Sequence, residues 1–174
     1  MTFVKDENAE TKNALGELLS NQQTLSSIVD KLEMEIDKLH RKNLSKNAVF
    51  LGIPLTPQEN LIGLVRKISE KLGCQIEPNE IAEARRLIAK TESGNPPPVL
   101  VSFIEEQIKE NLLSKKRSHG TLLAATIVNE FKSSTRKITV RDELTIYGRE
   151  LLREAKEHQA VLDMKYIWPG RIFY

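Results

Sequence analysis

Leucine recurs at every seventh position at Leu18, Leu25, Leu32 and Leu39, and Leu15, Val29 and Ile36 each fall three residues before one of these. Seven residues make two helical turns, so these side chains share one stripe of an α-helix, and that stripe calls for burial against a partner. With the leucines at d, the a positions are Leu15, Gln22, Val29, Ile36 and Asn43; the polar Gln22 and Asn43 set register instead of driving association. No Pro or Gly interrupts residues 17–47, which predicts a rod of about 45 Å. A coiled coil is therefore expected over 15–46, with Leu18, Leu25, Val29, Leu32, Ile36 and Leu39 at its seam and a disordered tail over 1–14. Leu at d with Val or Ile at a leans towards a dimer, while Leu19 at e and Ile28 at g widen the stripe and leave room for a trimer. The competing reading of the pattern is a long amphipathic helix packed on the chain's own body.

After residue 46 the periodicity changes. Residues 47–53 (NAVFLGI) form a short apolar run closed by Pro54, which reads as a strand. Thr56 before Pro57 suits a helix N-cap and first turn, and Leu61, Ile62, Leu64, Val65, Ile68 and Leu72 follow helical spacing until Gly73 closes them. A helical turn over 79–84, a strand over 84–88 (ARRLI), a loop over 91–98 and a strand over 99–103 (VLVSF) come next. A helix over 105–116 turns Ile108, Leu112 and Leu113 inward; residues 120–136 are apolar at Leu122, Leu123, Ile127 and Val128 but without a clear period. A strand over 137–140 (KITV) and a helix over 146–159 lead to two short strands, 165–168 and 171–174, around Pro169 and Gly170, a hairpin pattern. The fold class expected is α+β: a coiled-coil helix, then a split βαββαβ sandwich over 47–142 like that of RNA-recognition modules, then a small helix-plus-hairpin nucleic-acid-binding domain over 143–174. In such a sandwich two helices cover one face of the sheet, and the other is free to hold a single strand.

Charge changes the picture once the chain is cut. Over the whole chain 26 basic residues nearly balance 24 acidic ones. The first 43 residues nevertheless carry a net −2 and the rest +4, and between residues 109 and 153 ten basic residues meet five acidic ones. The body is basic and the arm is not. A single cysteine, Cys74, excludes an internal disulfide and suits a reducing compartment, no apolar run is long enough to span a bilayer, and residues 1–10 lack the apolar core of a signal peptide. A cytoplasmic location is expected, with the nucleus as a second. No phosphate-binding glycine loop, dinucleotide fingerprint or H-E-x-x-H pair is present, and His40, His119 and His158 fall in unrelated elements. No enzyme, cofactor or metal is implied.

The segment NAVFLGIP after a coiled coil, ENLIGLVRKISEKLG, EARRL, PPPVLVSF, and KITVRDELTIYGRELLREAKEH followed by MKYIWPGRIFY together resemble the RNA-binding first-open-reading-frame proteins of LINE-type retrotransposons, the transposase 22-like family. The last of these segments is also similar to the C-terminal domain of baculovirus few-polyhedra (FP) proteins. The resemblance implies a coiled-coil homo-oligomer, trimer or dimer, that coats single-stranded RNA as a ribonucleoprotein chaperone, with single-stranded DNA as the alternative ligand. By position it implies nucleic-acid contacts at Lys46, Arg85, Arg86, Arg117, Arg153, Trp168 and Arg171. Two basic positions of the family are Val49 and Ser114 here, so some phosphate contacts would be weaker or supplied by Lys115 and Lys116.

Read from the residues themselves, Lys115, Lys116 and Arg117 are either a phosphate-neutralising cluster or the favourable positive end of a helix. Arg85 and Arg86 face opposite sides of a strand, so only one reaches a ligand face. Arg149 and Arg153 share a helical face, with Glu150 and Glu154 on the adjoining stripe. Arg136, Lys137 and Arg141 complete the basic stretch, and Trp168 with Arg171 offers stacking beside a phosphate contact. The strand VLVSF lacks the paired aromatics of the RNP1 consensus, so binding should rest on charge and tolerate many sequences. A coiled-coil adaptor whose globular part binds a protein partner is the rival from another class.

Overall fold

The computed structural model describes residues 3–88 and 94–159, with side chains from residue 11 onward. The chain is mixed α+β and divides into two units, Met1–Lys42 and Asn43–Tyr174.

The described residues of the first unit belong to one helix, α1, spanning Phe3–Leu44. Its 42 residues make a rod of about 63 Å at 1.5 Å each. The helix begins well upstream of residue 15, so residues 3–14 are helical where a disordered tail is expected. Lys5, Glu7, Ala9, Glu10, Lys12 and Ala14 are good helix formers, and with no proline the chain has no reason to stop. Arg41 and Lys42 in the last turn oppose the negative end of the helix dipole, and Arg41 Nε also donates to Asp37 Oδ2 at 2.6 Å. The heptad side chains Leu18, Leu25, Leu32 and Leu39 are each more than half exposed.

The second unit is built on a five-stranded antiparallel sheet in the order β2-β3-β1-β5-β4. The strands are β1 (Asn47–Leu51), β2 (Ile81–Arg86), β3 (Val99–Phe103), β4 (Leu122–Leu123) and β5 (Lys137–Asp142). Three further helices are α2 (Leu61–Lys71), α3 (Glu106–His119) and α4 (Ile146–His158). Alternation along the strands decides the core: Ala48 and Phe50, Val99, Val101 and Phe103, and Ile138 and Val140 all point to one face. There they meet Leu64, Val65 and Ile68 of α2 and Leu112 and Leu113 of α3. Fully burying a side chain such as Phe50 or Phe103 contributes up to about 3 kcal/mol, so this face dominates the stability of the unit.

Several boundaries differ from expectation for local reasons. Helix α2 is capped by Asn60, whose Oδ1 accepts from Gly63 N at 2.8 Å, and not by Thr56 and Pro57. Residues 54–60 form a loop instead, tight enough to hold Gln58 at φ 54°. Gly73 follows the helix at φ +76°, as a closing glycine should. Strand β2 starts at Ile81, three residues early, and the expected helical turn shrinks to a 3-10 turn at Pro78–Glu80. A register irregularity between Ile81 and Glu83 breaks the alternation that would have marked the strand. The ambiguous stretch 120–136 supplies β4, paired with β5, and two 3-10 turns that bury Ala124 and Phe131. At Gly52 (φ +83°) an added Cβ would run into the Lys137 carbonyl oxygen, so β1 and β5 approach there only because the residue is glycine. The hairpin expected over 165–174, with Trp168 and Arg171, lies outside the described residues.

The face of the sheet turned away from α2 and α3 is less open than expected. Its central cross-strand partners, Val49 and Leu100, are each only 6% exposed although neither belongs to the main core. Around them the same face carries Arg85, Ser102, Lys137, Thr139 and Arg141.

Candidate nucleic-acid interface

The connection from β5 into α4 is short and fixed by hydrogen bonds. Asn47 Nδ2 donates to Glu143 Oε2 at 2.8 Å. Buried Thr145 caps α4, its Oγ1 accepting from Gly148 N at 3.0 Å. Gly148 suits the cap, because an added Cβ would lie 3.2 Å from that hydroxyl. Helix α4 therefore leaves the sheet in a defined direction. Along it Arg149, Arg153 and Lys156 are spaced four and three apart, which puts them on one face.

That face and the end of β5 enclose an open groove of about 400 Å³, lined by Arg141, Leu144, Arg149, Leu152, Arg153, Lys156 and Glu157. Four cations face one carboxylate, over a floor supplied by two leucines. Glu157 lies 3.9 Å from Arg153 Nε, and both side chains are mostly exposed, so solvent screens the pair and it holds Arg153 only loosely. The excess of cations makes the groove attractive to anionic groups, and its leucines offer an apolar surface beside them.

The structure thus brings Arg141, Arg149 and Arg153 together, with Lys137 exposed on the same sheet face as Arg141. Arg85 is also exposed on that face, at the β2 edge, and pairs with Glu83 at 3.2 Å. Arg86 points the other way and is fully engaged. Its Nε donates to Glu59 Oε2 at 2.7 Å, and its terminal nitrogens reach Glu59 Oε1 and the carbonyls of Ile53, Pro54 and Pro97. All five guanidinium N–H donors are used within the chain. Arg86 ties together the loops that follow β1 and precede β3. Its guanidinium also holds the Glu59 carboxyl below the usual carboxylate range, with the Thr56 N–H adding to the effect against the opposing cost of burial.

Other expected contacts are committed elsewhere. Lys46 Nζ donates to the Ile104 carbonyl at 2.8 Å, and Arg136 donates to Asn95 Oδ1 and the Gly94 carbonyl, each at 3.0 Å. Lys116 folds back onto the Gly120 carbonyl at the end of α3, while Lys115 and Arg117 remain exposed on that helix. The cations of α3 belong to the element that packs on the core face, whereas Arg141 lies on the other. The basic residues therefore fall into two groups and not one track.

Sequence reasoning missed Lys156, whose spacing of seven from Arg149 marks it as a groove residue. It also missed the fate of Lys109, which is 3% exposed and donates to Asp142 Oδ1 at 2.6 Å with Glu110 Oε1 at 3.1 Å. One cation of the basic stretch is thereby withdrawn from any ligand. Burial, and secondarily Glu80, push the Cys74 thiol up, against a smaller opposing effect of Lys115, so it is a poor nucleophile. Among the described residues no three His, Cys, Asp or Glu side chains gather to hold a metal ion, and no helix is long and apolar enough to cross a membrane. No protein-family model matches the chain, and no curated protein matches it.

Proposed function

We propose that this protein is a non-enzymatic, homo-oligomeric binder of single-stranded nucleic acid, RNA in the first instance, acting as a ribonucleoprotein coat or chaperone of a retroelement-like or virus-like system in the cytoplasm or nucleus. The observation that carries the reading is the groove of Arg141, Arg149, Arg153 and Lys156. Four cations beside a leucine floor suit a flexible polyphosphate better than a folded, sequence-read duplex. The order β2-β3-β1-β5, with β1 and β3 inside and two helices on one face, supports an RNA-recognition-like split βαββαβ module. Burial of Val49 and Leu100 argues against base stacking at the sheet centre and moves the binding surface towards α4.

The half-exposed heptad stripe of α1 supports a parallel role for a coiled coil, dimeric or trimeric. Joining two or three modest grooves multiplies their affinity without any new contact. Protein purified at low salt is expected to carry nucleic acid, seen as a raised ratio of absorbance at 260 to 280 nm that falls after nuclease and a high-salt wash. A ratio that is low from the start and unchanged by nuclease would contradict the proposal. A second reading, a coiled-coil adaptor for a protein partner, draws on the exposed Ile146, Tyr147 and Leu151 of α4, an apolar patch that a polyanion does not need.

A further inference from the structure

A second cleft lies on the side of the body that carries α2. It has a volume of about 370 Å³ and mostly polar walls, and is bounded by Lys67 and Lys71 of α2 and by residues 125–130. The two lysines are four apart, so they lie one above the other on the same helical face. Helix α2 turns Leu64, Val65 and Ile68 into the core, which leaves Lys67 and Lys71 at the surface. Across the cleft, burial of Ile127 and Phe131 anchors the opposing segment and presents Asn129.

Like the cations of the α4 groove, the two lysines of this cleft differ from several other basic positions. Lys46, Arg86, Lys109, Lys116 and Arg136 are all engaged by carbonyls, side-chain amides or carboxylates. Among the described residues Lys67 and Lys71 form no ion pair, though both border a recess large enough for a phosphate with its sugar. Glu130 at the rim offsets one of the two charges. Thr126 is not a free donor, since its hydroxyl is given to the Leu123 carbonyl at 2.7 Å. Among the lining side chains the neutral donor left is the Asn129 amide, which carries two N–H groups.

We propose that Lys67, Lys71 and Asn129 form a phosphate-binding site, separate from the α4 groove and on the opposite side of the sheet. The phosphoryl group would be that of a bound single strand or of a free phosphorylated ligand, and the ammonium groups and the amide would hold its non-bridging oxygens. The strand version rests on the nucleic-acid reading above; the phosphate site itself does not.

The test is amide NMR of the full chain titrated separately with inorganic tripolyphosphate and with a uridine oligonucleotide, repeated on Lys67→Ala with Lys71→Ala and on Asn129→Ala. Saturable shifts over residues 125–129 are expected in the parent. The double variant should raise the tripolyphosphate Kd at least tenfold, and Asn129→Ala should raise it less. Shifts there with the oligonucleotide, accompanied by a salt slope of binding reduced by about 1.4 in the double variant, assign the site to strand phosphates. Shifts with tripolyphosphate alone assign it to a free phosphorylated ligand. No shift with either ligand, or shifts that persist in the double variant, overturns the proposal. Failure of the nucleic-acid reading shows separately, as an oligonucleotide that leaves the amides of Arg149 and Arg153 unmoved while tripolyphosphate still acts at 125–129.

Discussion

In α1 the side chains of Leu18, Leu25, Leu32 and Leu39 stay more than half exposed, whereas in the body Phe50, Val99, Val101 and Phe103 are at most 2% exposed. Both regions are rich in aliphatic residues, so composition does not separate them. Period does. A strand period of two and a helix period of 3.6 let β1, β3, β5, α2 and α3 turn their apolar faces towards one another and close a core within one chain. A seven-residue repeat on a single rod makes a stripe that nothing else in the rod can cover. The body closes its own core, whereas the leucine stripe of α1 is left exposed, and under the coiled coil proposed above the two should respond to different perturbations.

The largest effect should come from breaking the rod. Leu25→Asp with Leu32→Asp places charges at two successive heptad positions of α1 and, under the proposed coiled coil, is expected to give monomers by light scattering. Single-strand affinity, read by fluorescence anisotropy, should fall a hundredfold or more as avidity is lost. The thermal transition of the body should not move. Monomers that bind at full strength would end the argument that assembly supplies the affinity.

Next in size is Arg86→Ala. It strands the largely buried Glu59 carboxylate and leaves the carbonyls of Ile53, Pro54 and Pro97 without the donor they share, at a cost of about 3 kcal/mol. Urea unfolding should show that loss in the body, while light scattering should give the parent's mass if α1 sets the oligomeric state as proposed. A change below 1 kcal/mol would mean that the brace is dispensable.

A smaller effect follows from the same pair. The carboxyl of Glu59 is held below its usual range, so its contribution is complete above the unfolded-state value and is lost as pH falls through the lower folded-state value. The urea midpoint of the parent should therefore drop more steeply between about pH 5 and pH 3 than that of Glu59→Gln, the carboxyl of an unfolded chain titrating near 4.3. Identical pH profiles would remove Glu59 as a source of acid sensitivity.

What the chain reveals unaided is whatever depends on neighbours in sequence. The helical period of α1, the strand Val99–Phe103 and the start of α4 are visible in local spacing, and the structure has helix, strand and helix there, whereas the cap of α2 falls at Asn60 and not at Thr56. Strand β2 is harder, because Pro78 and Asn79 signal a turn and the irregularity at Ile81 and Glu83 hides the alternation that follows. Side-chain commitments are harder still. That Arg85 and Arg86 face opposite ways is legible, but which one is withdrawn depends on Glu59, 27 residues away. Lys109 looks like one more surface cation until Asp142, 33 residues on, is brought beside it. Of the candidate site, the pairing of Arg149 with Arg153 was readable from helical spacing. The approach of Arg141 and the cleft at Lys67 and Lys71 needed the fold.

The most direct measurement is the salt dependence of single-stranded RNA binding by the parent and by the Arg149→Ala, Arg153→Ala, Lys156→Ala variant. These three side chains are exposed, so the variant should fold as the parent does. Each phosphate neutralised on a single strand contributes about 0.7 to the slope of log affinity against log salt, so the variant should lose about 2 from the slope and bind far more weakly at low salt. An affinity and slope indistinguishable from the parent's would show that the α4 groove is not where the strand is held.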